Sequence, residues 1–120
     1  MVGAGGAVGA VARFLVSRQI NQAGRWLLPL GTIGVNLIGA FLLGLFFEVA
    51  SERIVSPELR ALIAIGFLGS FTTFSTFSLE TINLVRDYQY GAAIINAGGS
   101  VIIGLGASLF GIALARFLLR

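Results

Sequence analysis

The 120 residues contain no cysteine and no histidine, and all eight basic residues are arginine. The first two absences remove thiol nucleophiles, disulfides and imidazole metal sites, and they leave the redox compartment unreadable. Charge is scarce as well: 11% of residues are charged against 57% hydrophobic, with a net charge of +3 and a mean hydropathy of +0.96. So few charges cannot cover the surface of a water-soluble domain. The arginines stand singly, which argues against the basic stripe that a nucleic-acid partner requires. Paired carboxylates within an apolar stretch are missing, as is a glycine-rich turn between a strand and a helix, so acid–base, metal-dependent and nucleotide-using catalysis lack their residues. We read a chain that is not an enzyme.

What the sequence has in quantity is long uncharged apolar runs, and these make it an integral membrane protein solvated by lipid on most of its flank. Residues 2–17 (VGAGGAVGAVARFLVS) form a short, glycine-rich first segment, expected to be a span and not a removable signal. Gly5 and Gly9 lie four apart, the spacing that lets helices approach closely in lipid. Arg13, inside the same segment, is either an interfacial anchor or a residue that draws anions into a vestibule. A polar connection, RQINQAGR, precedes residues 26–47, whose 22 residues carry no charge; that length spans about 33 Å as a helix. Pro29 is expected in its first turn. Asn36 falls near its centre, as interhelical glue or as a pore-lining amide. The polar segment Glu48 to Arg60 reads as a loop. Ser56 and Pro57 then announce a third helix, by cap and first-turn residue. A fourth uncharged run, Tyr88 to Ala115, carries Asn96, Ser100, Gly104 and Ser108 at intervals of four. That stripe is either a packing seam or a hydrogen-bonding track.

The third run departs from ordinary lipid-facing sequence. From Gly66 to Ser78 it reads GFLGSFTTFSTFS, with no charge between Ala61 and Leu79. Gly69, Ser70 and the pair Thr72 and Thr73 weaken a helix where hydroxyls compete for backbone hydrogen bonds. A helix that breaks in mid-membrane and restarts is therefore expected. Irregular backbone at that depth survives only when buried in protein or lining a wet cavity, which makes its carbonyls and hydroxyls candidate ligands. Beyond the break Phe74 and Phe77 share one face. Glu80 reads as an interfacial acid beside Arg86 and Asp87.

With no acid expected inside a span, the residues favour an anion as the permeant species. Removing a small ion from water costs on the order of tens of kcal/mol, so a path must replace water's donors. Thr and Ser hydroxyls and the Asn36 and Asn96 amides can donate, and phenyl edges carry the positive part of the ring quadrupole. Four spans make one domain over residues 1–120. They place Arg53, Arg60, Arg116 and Arg120 on one side of the membrane and Arg18, Arg25 and Arg86 on the other, with Arg13 facing the latter. The positive-inside rule then has almost no preference, and both orientations are expected, hence an antiparallel homodimer.

GSFTTFSTFS at Gly69 to Ser78, GTIGVNLIG at Gly31 to Gly39 and GGAVGAVARF at Gly5 to Phe14 closely resemble the Fluc (CrcB) family of fluoride channels. The likeness covers nearly the whole chain in the same order. It implies an all-α integral membrane protein of four transmembrane helices, the third broken in mid-membrane, assembled as an antiparallel dual-topology dimer in the cell membrane. It also implies two pores exporting fluoride down its gradient. By the same resemblance Phe74 and Phe77 coordinate fluoride through ring edges, with Asn36 orienting or accompanying them. A structural sodium ion is implied on the dimer axis, held by the backbone carbonyls of Gly69 and Thr72. Arg13 matches the vestibule arginine, and Ser75, Thr76 and Glu80 fall within the matched motif, the first two near the path. Asn96 stands where the family usually has tyrosine, above Ser100 on the polar track, and Ser70 stands where glycine is common. A small multidrug exporter, the nearest alternative in layout, depends on a first-span glutamate, and this first span has Arg13 and no acid. A non-transporting assembly subunit would use the glycines for packing alone.

Overall fold

The computed structural model describes all 120 residues, and every regular element is helical. α1 is Val2–Gln22 and α2 is Leu30–Glu52. α3 covers residues 57–71, α4 is Phe74–Arg86 and α5 is Tyr90–Leu118, the last two elements being joined by a short turn. α3 and α4 are two halves of one interrupted rod. Three stretches are long and apolar enough to cross a membrane: α2, the pair α3–α4 and α5. α1 has 21 residues, about 31 Å of helix, but its glycines, Arg13 and Arg18 make it less apolar than the other three.

Two helix boundaries differ from the sequence-based expectation. α2 begins at Leu30, with Pro29 as its cap residue and not inside its first turn. Trp26 instead lies in the connection, where its Nε1 donates to the Ile20 carbonyl at 3.4 Å. The Asn21 side chain accepts from Gly31 N at 3.0 Å, so the end of α1 supplies the cap that proline cannot. At its other end α2 continues through Glu48 to Glu52. Glu48 is buried there, paired with Arg116 Nε at 2.7 Å. That partner offsets the cost of burying the carboxylate, which an unpaired acid would bear in full. α3 starts as expected, with Ser56 Oγ accepting from Leu59 N at 3.2 Å and Pro57 in the first position.

Close helix approach accounts for the packing. α1 lies against α3 where residues 61–68 are wound wide, as π turns. Side chains on Gly5 and Gly9 would run into the carbonyls of Leu62 and Phe67, so these glycines serve packing, as their spacing predicts. Gly9→Ala is expected to cost roughly 1–3 kcal/mol, read as earlier loss of the monodisperse species on heating in detergent. An unchanged profile would show that α1 shifts freely. α2 and α5 meet in the same way: Gly44 faces the Ser108 carbonyl and Gly111 faces that of Phe41. Ser108 Oγ donates to the Ala40 carbonyl at 3.1 Å. Between α4 and α5 the chain reverses at Tyr88, whose φ of 59° is the only positive one. Gln89 N bonds to Leu84 O at 2.8 Å and Tyr88 N to Val85 O at 3.0 Å, a helix-ending turn in which tyrosine takes the place glycine usually fills.

Candidate functional site at the interrupted helix

The interruption is confined to two residues. Gly69 to Phe71 remain helical, and Thr72 and Thr73 are extended, with ψ of 157° and 121°. Thr73 then caps α4: its Oγ1 accepts from Thr76 N at 3.2 Å and donates to Thr76 Oγ1 at 3.1 Å. Asn36, on α2, holds the break from the side. Its Oδ1 accepts from Thr73 N at 2.8 Å and its Nδ2 donates to Thr73 O at 3.0 Å, the two-bond pairing that a neighbouring strand would offer. Three residues further along the same face, Gly39 leaves room for the Thr72 methyl, which any side chain there would strike. Asn36 and Gly39 together form the socket for the extended pair.

These bonds have a consequence for the carbonyls. In a continuous helix Thr73 N would close on Gly69 O, and Thr76 N on Thr72 O. The first donor has gone to Asn36 and the second to the Thr73 hydroxyl, so the Gly69 and Thr72 oxygens lose their helical partners. No three His, Cys, Asp or Glu side chains gather anywhere in the chain. Neutral carbonyl oxygens of this kind suit a hard, weakly charged cation.

Phe74 and Phe77 follow directly, with ring centroids 5.8 Å apart and planes at 43°. They border a cleft of about 480 Å³ that also takes in Asn36, Gly69, Thr72 and Ser100, with no charged residue in its lining. Phe74 is 79% exposed in the single chain, while Phe77 is half-buried. The proton of Thr72 Oγ1 is used on the Leu68 carbonyl at 3.0 Å.

Other residues singled out in the sequence lie outside the cleft. Arg13 is half-buried on α1 and forms no hydrogen bond or ion pair within the chain. Ser75 and Thr76 are exposed on the first turn of α4. Asn96 is wholly buried, its Nδ2 donating to Thr81 Oγ1 at 2.8 Å. The α5 stripe therefore divides: Asn96 and Ser108 bond to other helices, while Ser100 and Gly104 line the cleft together with part of Ser108's surface.

The acids require a correction. Glu48, expected to open a loop, lies within α2 and pairs with Arg116, while Glu80, within α4, accepts from Thr32 Oγ1 at 3.0 Å. Glu80 is thus held by α2 and not by Arg86, and its second carboxylate oxygen is buried without a partner. It borders a second, smaller hollow of about 360 Å³ with Asn21, Asn83 and Asp87. Thr32, Gly39 and Thr81 were not legible as site residues. The available signal was periodicity, since Gly39 follows Asn36 by three and Thr81 follows Phe77 by four.

Residues 1–112 match the family described as CrcB-like protein, Camphor Resistance (CrcB). The chain belongs to the CrcB family. The match takes in the break, both rings, Asn36 and the whole α5 stripe, and stops before Arg116. Among CrcB relatives, the fluoride-specific ion channel FluC of Magnetococcus marinus is 43% identical over 121 residues, covering 98% of this chain and 96% of that protein. Those of Geobacter sulfurreducens and Hahella chejuensis are 46% and 45% identical, covering 92% and 98% of this chain and 90% and 94% of theirs. A CrcB chain is a membrane protein and an ion channel, not an enzyme, which agrees with the missing catalytic residues.

Proposed function

We propose that this chain is a fluoride-selective channel that lets fluoride leave the cell passively, lowering its cytoplasmic level. The observation that carries the reading is the pairing of Phe74 and Phe77 at a charge-free cleft immediately after an interrupted helix; the names of the relatives supply the ion. Ring edges favour an anion in a dry constriction without binding it as tightly as a fixed cation would. Asn36 keeps one amide proton beyond the one it donates to Thr73 O.

The functional unit in this reading is an antiparallel, dual-topology homodimer in the cell membrane, with α1 as the fourth span and two pores. Support comes from the near-equal arginines on the two sides and from Gly69, which is exposed in the single chain beside freed carbonyls. Such backbone does not face lipid, and a second copy is the cover that closed symmetry offers. The Gly69 and Thr72 carbonyls of both copies would hold a structural sodium ion on the axis, supplying a fixed charge that joins the subunits. Arg13 is placed at the vestibule, with Ser75, Thr76 and Ser100 near the path.

Purified protein in liposomes is expected to release fluoride rapidly and electrogenically, in preference to chloride and without a proton gradient. Vesicles that stay tight would overturn the reading, and proton-coupled release would point to an exporter. Replacing sodium by a bulky organic cation throughout purification is expected to abolish most of that flux; undiminished flux would remove the sodium ion from the account.

A further inference from the structure

Two polar atoms of α5 are sealed from solvent without a partner: Asn96 Oδ1 and Ser100 Oγ. A buried orphan acceptor is unfavourable, and an apolar side chain at 96 would avoid it, so packing alone gives no reason for the amide. What Asn96 does accomplish is a connection. Its Nδ2 donates to Thr81 Oγ1 at 2.8 Å, and Thr81 Oγ1 donates to the Phe77 carbonyl at 2.8 Å. Because the single hydroxyl proton of Thr81 is used on Phe77, Thr81 can only accept from Asn96. That fixes which way the amide faces and turns Oδ1 to the side without a donor. Phe74 has half of the same arrangement: Ser78 Oγ donates to its carbonyl at 2.9 Å, with no link from Ser78 to another helix. Residues 95–99 are wound as π turns at the same level, a distortion common where a helix is adapted to a site.

We infer that Asn96 is a positioning residue for Phe77, acting through the Thr81 hydroxyl to hold the half-buried ring at a set angle to the exposed Phe74. This inference rests on the channel reading, since the ring matters only if it faces the permeating ion. Asn96 is thereby a bracket behind the path and not a member of a track along it. Its place on the stripe with Ser100 comes from the four-residue spacing, while its function comes from α4.

The test uses the full-length protein in liposomes and in detergent, with the wild type measured first. Asn96→Leu and Thr81→Val are each expected to lower fluoride efflux about tenfold, the double variant no further than either single one. Thr81→Ser, which keeps the hydroxyl, is expected to conduct like the wild type. Asn96→Leu is expected to melt no lower than the wild type, because it also removes an orphan acceptor. Fluorine NMR of protein carrying a ring-fluorinated phenylalanine at 77 is expected to show a shifted or split resonance in Asn96→Leu. Wild-type flux in Asn96→Leu, an unmoved resonance, or flux lost only in step with thermal stability would overturn the inference. If Asn96→Leu does not fold, equal flux in Thr81→Val and Thr81→Ser would overturn it. Tight wild-type vesicles combined with a displaced Phe77 resonance would remove the channel reading while leaving the bracket in place.

Discussion

Replacing either ring, Phe74→Ile or Phe77→Ile, is expected to cut fluoride efflux by about 100-fold, or about 2.7 kcal/mol at the barrier, while the protein elutes unchanged on size exclusion. Isoleucine retains bulk and apolarity, so packing is largely preserved. What disappears is the ring's electropositive rim. The cleft offers few substitutes: the Thr72 hydroxyl proton is used on Leu68, and one Asn36 amide proton on Thr73. The two replacements need not be equal. Phe77 is half-buried and braced from behind, whereas Phe74 is exposed in the single chain and awaits whatever surface completes the path. Undiminished efflux in both variants would eliminate ring edges as the means by which an anion is accommodated.

Asn36→Leu is expected to lose both folding yield and flux. The change strips two hydrogen bonds from Thr73, at N and at O, and leaves that peptide with no partner in an apolar interior. Each unmet group costs about 1–3 kcal/mol, so a loss of roughly 2–6 kcal/mol is expected, comparable with much of a domain's net stability. The extended pair would either rewind into a continuous helix or recruit water. In both cases the Gly69 and Thr72 carbonyls and the two rings lose their present arrangement. Asn36→Asp can accept from Thr73 N but cannot donate to Thr73 O, and is expected to fall between. Thermal unfolding in detergent beside liposome efflux reads both effects; a stable, fully conducting Asn36→Leu would show that the break holds itself open.

How far the site was legible depended on whether a residue's partner is near it in the chain. The break could be anticipated from Gly69 to Thr73, because small and β-branched residues disfavour a helix locally. Which residues of that stretch become extended could not, since Asn36 and the space above Gly39 select the peptide that leaves the helix. Phe74 and Phe77 were expected on one face, three residues apart within one helix. Asn96 was grouped with Ser100 and Ser108 for the same reason of spacing, which cannot show that its partner, Thr81, lies on another element. Glu48 was read as the start of a loop, yet it lies within α2, where Arg116, 68 residues away, pairs with it; Thr32, 48 residues before Glu80, holds that acid in the same long-range way.

From its order of residues alone, this chain was bound to be helical, to live in lipid, to lack enzyme chemistry and to carry a weak point in its third apolar run, because each follows from composition and short-range periodicity. Only the packed structure decided which two carbonyls are released, which amide holds the break and which hydroxyl braces Phe77. Those outcomes depend on donors and acceptors meeting across helices far apart in the chain, and in a low-dielectric interior every such group must find a partner.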